Sequence, residues 1–199
     1  MCGIYSNYSP YYCPVNNDKL KTKTMRTIET NVYTFGELSE DMQEKAIENL
    51  YDINTSFDWW ELTYDDAANI GLKITSFELD RHRHAEGELN FAANEVAENI
   101  LKEHGEGCET HKTATNFLKD WAGLVEKYSD GEKLDQVTED NEFLFDQEAD
   151  ELEEEFLKSI LEDYSIMLQK EFEYLQSEEA IKEAIEANEY EFTVDGKLI

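Results

Sequence analysis

Carboxylate side chains are concentrated in one short stretch of this chain. The 25 residues from Glu139 to Asp163 contain twelve acidic residues and a single basic one, Lys158. The stretch lacks glycine and proline, so a helix is expected, and spacings of three and four residues then align carboxylates in rows. One row holds Glu142, Asp146, Asp150 and Glu153, and a second holds Glu148, Glu151 and Glu155. The other acids of the stretch are Glu139, Asp140, Glu154, Glu162 and Asp163.

Two rows of carboxylates on a long helix approach the charge pattern of a nucleic acid. Duplex DNA carries one negative charge per about 1.7 Å of its axis, and a basic nucleic-acid-binding groove is attracted to such a field. Like charges four residues apart destabilise a helix, and solubility alone needs far fewer acids. We therefore predict that the twelve acids form a partner-binding surface. The alternative interpretation is a solvated helix face that keeps the protein soluble.

Two adjacent tryptophans are a second candidate contact. Trp59 and Trp60 would point about 100° apart on a helix. We expect one of them in the core. The other, partly exposed, is a candidate anchor for a partner.

Metal-binding side chains occur at two places. His104, Cys108 and His111 lie within eight residues of one another and are secondary candidates for zinc ligands. Three further residues alternate on one face of a presumed strand: Asp80, His82 and His84. Neither spacing is a standard zinc signature, and a structural zinc site needs a fourth ligand. We therefore predict no metal and no cofactor.

Sequence signals for catalysis are few. Removal of Met1 would expose Cys2, an arrangement that N-terminal-nucleophile enzymes use. Those enzymes need a large β-sandwich, whereas this chain is short and mostly helical. A phosphate-binding loop, a Ser-His-Asp order signature and a His-Glu-x-x-His motif are all absent from the sequence. We predict no catalytic residues. A metal- or thiol-dependent enzyme is the alternative, and it would need Cys, His and acidic side chains to converge in one pocket.

The overall composition narrows the class of protein. The 199 residues include 47 acidic and 17 basic ones, a formal net charge of −30. This negative charge excludes nucleic-acid binding through a general basic surface and disfavours binding to anionic membranes. Hydrophobic residues at 40% and aromatic residues at 12% exclude a fully disordered chain. With no long apolar stretch, no secretory signal and three cysteines, we expect a cytoplasmic protein without disulfides.

The first part of the chain differs from the rest. Residues 1–24 carry a net charge of +2, whereas residues 132–199 carry −18. The first segment holds both prolines and no sustained period, so we expect an N-terminal arm. We predict a single acidic domain over residues 25–199, with an internal linker at 129–141.

Hydrophobic periodicity predicts the elements of this domain. Strands are expected at 27–35, in a hairpin over 73–91, and at 190–194. Helices are expected at 39–50, 58–70, 92–104, 113–128, about 142–176, and after Ser177. The predicted fold class is α+β, a small antiparallel sheet of about four strands packed by several helices, with a long acidic C-terminal helix.

Four stretches carry a resemblance to a known family. They are Phe35–Asn49, Phe57–Glu61, Asn69–Arg81 and Glu186–Leu198, in order along residues 25–199. Together they resemble a family of small acidic phage and prophage proteins, some of them loosely labelled "antitoxin of toxin–antitoxin stability system". The resemblance implies a phage or mobile-element protein in the cytoplasm of a bacterial host, with Met25 as the usual start. It implies no catalytic motif.

The sequence therefore predicts an interaction protein of a phage or mobile element. We expect it to bind and inhibit a basic nucleic-acid-handling protein of the host, such as a restriction or CRISPR effector, by nucleic-acid mimicry. An antitoxin that neutralises a basic toxin is the alternative within the binding class. Neither nucleic acid nor a membrane is an expected direct partner. The identity of the partner and the oligomeric state stay open.

Overall fold

The computed structural model of the protein describes residues 29, 31–129 and 141–199. In chain order the elements are β1 (Tyr33–Thr34), a 3-10 turn (Phe35–Glu37), α1 (Glu40–Asn49), α2 (Glu61–Ile70), β2 (Leu72–Glu78), β3 (His84–Leu89), α3 (Ala93–Glu103), α4 (Glu109–Tyr128), α5 (Glu142–Leu175), α6 (Glu178–Ala187) and β4 (Glu191–Phe192). Val32–Ile199 form one compact unit. The predicted arm, and residues 130–140 of the predicted linker, lie outside the described residues.

The predicted α+β class, with its long C-terminal helix, is confirmed. The four strands that the structure describes do not share one sheet, however: β1 pairs with β4, and β2 pairs with β3, both antiparallel. Local periodicity identifies strands but does not determine which strands pair, so the expectation of one sheet needed this correction. No helix in the described ranges is both long and apolar enough to cross a membrane.

The described part of the predicted first strand is only partly extended in a sheet. Residues 27, 28 and 30 of the expected 27–35 strand lie outside the described residues. Of the others, the structure places Tyr33–Thr34 in β1, and the chain then enters the 3-10 turn. Glu37 accepts hydrogen bonds from the backbone N–H and the hydroxyl of Thr34, at 2.9 and 3.0 Å. This capping arrangement satisfies donors at the start of the turn and ends the extended backbone.

The central hairpin matches its prediction. Gly71, at φ 92°, ends α2 in the left-handed conformation and leads directly into β2. Leu72 pairs with Leu89, and Glu78 pairs with His84 at the other end. The side chains of Leu72 and Ile74 are buried on the inner face of the hairpin.

Helix α5 organises the main core. Its 34 residues would span about 50 Å at 1.5 Å per residue. The ring of Phe156 stacks on Phe117 of α4 with centroids 4.3 Å apart. The α5 residues that are buried in the main core are Phe156, Ile160, Leu161 and Tyr164. One face of α5 is thereby fixed against α2, α3, α4 and the hairpin, and the opposite face is left to solvent.

A second hydrophobic cluster holds the chain ends of the compact unit together. Ile181 and Ile185 of α6 pack with Ala46 of α1 and Phe192 of β4. The Ser177 hydroxyl accepts a hydrogen bond from the Ala180 N–H and caps α6, which begins directly after Ser177 as predicted. An N-cap of this kind typically contributes about 1 kcal/mol.

Gly87 of β3 is expected to tolerate no side chain. A Cβ atom there would lie 2.5 Å from the Lys73 carbonyl oxygen and 3.0 Å from a methyl carbon of Leu161. We expect Gly87→Ala to lower the free energy of unfolding by about 1–3 kcal/mol through overpacking, measured by urea denaturation. Gly123→Ala in α4 is the matched control, because a Cβ there meets nothing within 4 Å. It should stabilise the protein by about 0.5–1 kcal/mol.

Candidate partner-binding surface

The exposed side of α5 carries a dense series of carboxylates. Eight acidic residues lie between Glu142 and Glu155, over about 20 Å of helix. This is roughly one charge per 2.5 Å, compared with about 1.7 Å in duplex DNA. Six of them are exposed, and we call these six the acidic face: Glu142, Asp146, Asp150, Glu151, Glu154 and Glu155.

The acidic face has little compensating positive charge. Its part of α5 contains no lysine or arginine. None of the ion pairs among residues 31–129 and 141–199 involves Asp146, Asp150, Glu151, Glu154 or Glu155. Glu139 and Asp140, which were predicted to extend the same surface, lie outside the described residues. The charge of the acidic face is therefore presented to solvent.

Glu148 differs from the acidic face, although the sequence placed it in the second row. Its carboxylate accepts hydrogen bonds from Lys127 at 2.6 and 2.7 Å and from the Tyr128 hydroxyl at 2.8 Å. The bond from Lys127, followed by that from Tyr128, lowers the pKa of the Glu148 carboxyl. Glu148 therefore links α5 to the end of α4, and its charge is partly neutralised.

Glu153 is half-buried on the flank of α5. Burial raises the pKa of its carboxyl, and the charge of Asp150 acts in the same direction. Burial, rather than the charge of its neighbours, is therefore what mainly distinguishes Glu153 from the acidic face.

The last two acids of the predicted surface are engaged within the protein. Glu162 forms an ion pair with Arg83, whose Nε also donates to the buried Ser165 hydroxyl at 3.2 Å. Asp163 accepts a hydrogen bond of 2.7 Å from the Thr113 hydroxyl of α4. The structure thus assigns Glu162 and Asp163 to the attachment of the hairpin and α4 to α5.

Asp163→Asn is expected to stabilise the protein near neutral pH. Burial raises the pKa of the Asp163 carboxyl, the Thr113 hydrogen bond lowers it, and the charges of Glu109 and Glu162 raise it again. A raised pKa in the folded state means that the ionised form weakens folding above that pKa. The gain of the variant should therefore be full at pH 7, shrink as the pH falls through the raised pKa, and vanish below about pH 3.9. Thermal unfolding of both proteins between pH 7 and pH 3.5 measures this, and an advantage that grows on acidification would contradict the assignment.

The two tryptophans occupy different positions from those predicted. Neither is inside a helix: α2 begins at Glu61, and Trp60 is its N-cap residue. The helix therefore begins three residues after the predicted start at Asp58. Both are half-buried, and the ring centroids of both lie within 5.7 Å of that of Phe77 in β2. Trp59 also contacts Phe172 of α5, at 5.5 Å. The pair packs the turn before α2 against β2 and α5, and neither stands out as the one exposed anchor.

The loop between α3 and α4 does not bring its three candidate metal ligands together. The His104 side chain is only 9% exposed, with Nδ1 2.7 Å from the Thr110 hydroxyl and Nε2 3.4 Å from a carboxylate oxygen of Asp66. His111 lies instead beside Thr115 within α4, and the Cys108 thiol is exposed. Among the described residues, no group of three or more His, Cys, Asp and Glu side chains could hold a metal ion.

The second set of potential ligands is also dispersed. Asp80, His82 and His84 are exposed at the turn of the hairpin. The Asp80 N–H donates to Glu78, and Nδ1 of His84 lies 2.7 Å from the His82 carbonyl oxygen. These are local contacts within the turn, so Asp80, His82 and His84 do not share a pocket with the loop between α3 and α4.

A separate cavity of about 470 Å³ does bring His104 and Cys108 together with acidic side chains, among them Asp66, Glu109 and Asp163. This is the kind of pocket that the enzyme alternative requires.

Comparison with known proteins gives no information on the function of this surface. Models of protein families, curated protein sequences and solved structures all gave no match to this chain.

Two features were missed by sequence analysis. Asp66 accepts a 2.7 Å hydrogen bond from the buried Tyr164 hydroxyl, which ties α2 to α5 across the core. A broad groove also lies between β3 and α5. The one available signal was Gly87 within a predicted strand, because glycine in a strand often marks a close approach of another segment.

Proposed function

We propose that the protein is an inhibitor that uses the acidic face of α5 to occupy the nucleic-acid-binding groove of a basic host protein. The observation that carries the proposal is the series of six exposed carboxylates on about 20 Å of α5. This is one exposed charge per about 3.3 Å, or about half the density of duplex DNA, in a part of the helix that contains no lysine or arginine. A groove lined with Lys and Arg would meet carboxylates spaced along a rigid rod, and long-range attraction would accelerate association.

The stiffness of α5 supports this role. The helix is anchored by buried residues on one face and by Glu148 and Glu162 on its flanks. Charges fixed on a rigid helix lose less conformational freedom on binding than charges on a flexible tail would. A rigid arrangement therefore favours binding to a groove of matching shape.

The acidic face should weaken the fold that carries it. Four like-charge pairs lie four residues apart along α5: Glu142 with Asp146, Asp146 with Asp150, Asp150 with Glu154, and Glu151 with Glu155. At about 0.2–0.5 kcal/mol each, conversion of all six residues to their amides should raise the free energy of unfolding by about 1–2 kcal/mol. Urea denaturation at low salt measures this gain. A loss of stability would mean that the carboxylates serve the fold rather than a partner.

The phage or mobile-element setting and the antitoxin alternative belong to the same proposal. A restriction or CRISPR effector and a basic toxin would both present positive charge to the acidic face. They differ in what inhibition achieves: defence of the mobile element in the first case, and neutralisation of a toxin in the second. Identification of the bound partner separates them.

A pull-down from bacterial host lysate, at low and at high salt, tests the proposal. The tagged protein is compared with the acidic-face variant, in which these six residues become amides: Glu142, Asp146, Asp150, Glu151, Glu154 and Glu155. We expect the wild type to retain a basic nucleic-acid-binding protein that the variant loses and that salt releases.

A second six-residue variant controls for net charge. It neutralises exposed acids on other helices: Glu44, Glu48, Glu95, Glu98, Glu179 and Glu186. Both variants change the net charge equally, so only the acidic-face variant should lose the partner. If both variants keep the same partner, or the wild type retains none, the acidic face is a solvated surface and the proposal fails.

A further inference from the structure

An open sheet edge borders the acidic face. A groove of about 870 Å³ is lined by four consecutive residues of β3, from His84 to Gly87, together with α5. Successive strand residues point to opposite faces of a sheet, so a groove on one face would be lined by alternate residues only. Because four consecutive residues line this groove, it runs along the edge of β3. Within the described ranges β3 has one strand neighbour, β2. Its other edge therefore presents backbone N–H and C=O groups along the groove.

The groove combines an apolar floor with an acidic border. Ala85, Leu157 and Leu161 supply apolar surface inside it. The acidic residues that line it are Glu86, Glu154, Glu155, Glu162 and Asp163, and the one lysine is Lys158. Glu154 and Glu155 belong to the acidic face, so the groove continues that surface toward the hairpin. Glu162 is paired with Arg83 and Asp163 is bonded to Thr113. The charge that complements a basic segment with alternating apolar residues therefore comes from Glu86, Glu154 and Glu155.

A second copy of the chain fits this edge poorly. Glu88 is paired with Lys73 at 2.6 Å, but pairing of two β3 edges would bring the Glu86 carboxylates of the two copies near one another, and like charges opposite one another are destabilising. The net charge of −30 on each chain adds long-range repulsion. The occupant that the charges favour is a basic chain.

We propose that the open edge of β3 receives an extended basic segment of the partner as an added β-strand. Backbone hydrogen bonds to β3 would hold the segment, while apolar side chains would point toward Leu157 and Leu161 and alternate Lys or Arg side chains toward the acidic border. The inference rests on the proposed function, since it takes the partner to be basic. It adds a binding mode that depends on backbone geometry as well as charge.

A synthetic peptide of alternating lysine and valine is the probe. It is titrated into the full-length protein and followed by amide-resolved hydrogen exchange. We expect saturable binding, with slower exchange of β3 amides between His84 and Leu89. A second peptide has the same sequence and charge but is N-methylated at every internal residue. It should bind at least about tenfold more weakly, because main-chain donors supply much of the affinity of an added strand.

Each other result overturns the inference. Equal binding of the two peptides, absence of binding, or protection confined to Asp146–Glu155 would leave β3 without a strand-binding role. Protection of β3 amides in the absence of peptide would also contradict the proposal in two cases. If that protection depends on protein concentration, the edge is occupied by a second copy. If it disappears when residues 1–24 are deleted, the edge is occupied by the chain itself. The peptide assay needs no host partner. If the pull-down fails and the peptide binds to β3, the proposed function has failed. If the pull-down succeeds and the peptide does not bind to β3, the strand-addition proposal has failed.

Discussion

Neutralisation of the acidic face is expected to weaken binding of the captured partner by about 100-fold at low salt. The variant removes six exposed carboxylates of α5, each of which is accessible to a basic side chain of the partner. If each exposed pair contributes about 0.5 kcal/mol, the loss is about 3 kcal/mol, or about two orders of magnitude in Kd. Calorimetric titration of the purified partner with both proteins measures the difference.

Salt dependence provides the internal check on this result. Surface ion pairs are screened when the Debye length falls from about 10 Å at 0.1 M to about 3 Å at 1 M. The wild-type affinity should fall steeply over this range, whereas that of the variant should change little. The charge-matched variant in Glu44, Glu48, Glu95, Glu98, Glu179 and Glu186 should keep both the affinity and most of its salt dependence. Equal losses in the two variants would show that net charge, and not the acidic face, governs binding.

Phe156→Ala is expected to lower the free energy of unfolding by about 3–5 kcal/mol. Phe156 is 3% exposed and stacks on Phe117, so the substitution leaves a cavity between α4 and α5 in the main core. The free energy of unfolding of typical proteins is only about 5–15 kcal/mol, so this loss is a large part of it. Urea denaturation at pH 7 measures it.

Phe143→Ala is the matched control for the core substitution. Phe143 is on the same helix but is 78% exposed. Its replacement should change the free energy of unfolding by less than about 0.5 kcal/mol. Similar losses at Phe143 and Phe156 would contradict the orientation of α5, and with it the exposure of the acidic face.

Elements that depend on local sequence were predictable. The uninterrupted helical pattern without glycine or proline predicted a helix at about 142–176, and α5 occupies Glu142–Leu175. The hairpin was identified in the same way, because alternation over 73–91 is a local signal. Periodicity is a property of neighbouring residues, so these elements needed no knowledge of the rest of the fold.

Features that depend on distant residues were not predictable. Glu148 and Glu162 look like free acids in the sequence, yet their partners are 21 and 79 residues away, Lys127 and Arg83. The positions of Trp59 and Trp60 likewise follow from their packing on Phe77, which a helical wheel cannot anticipate. Long-range packing therefore decided which acids of the run stay exposed.

A competition experiment tests the central claim most directly. The captured partner is bound to a fluorescently labelled duplex or single strand that it recognises, and the protein is added while anisotropy is followed. Mimicry by the acidic face predicts complete displacement, with the apparent Kd for nucleic acid rising in proportion to the concentration of the protein. The acidic-face variant should displace little. A ternary complex, in which the nucleic acid stays bound at saturating protein, would contradict the account.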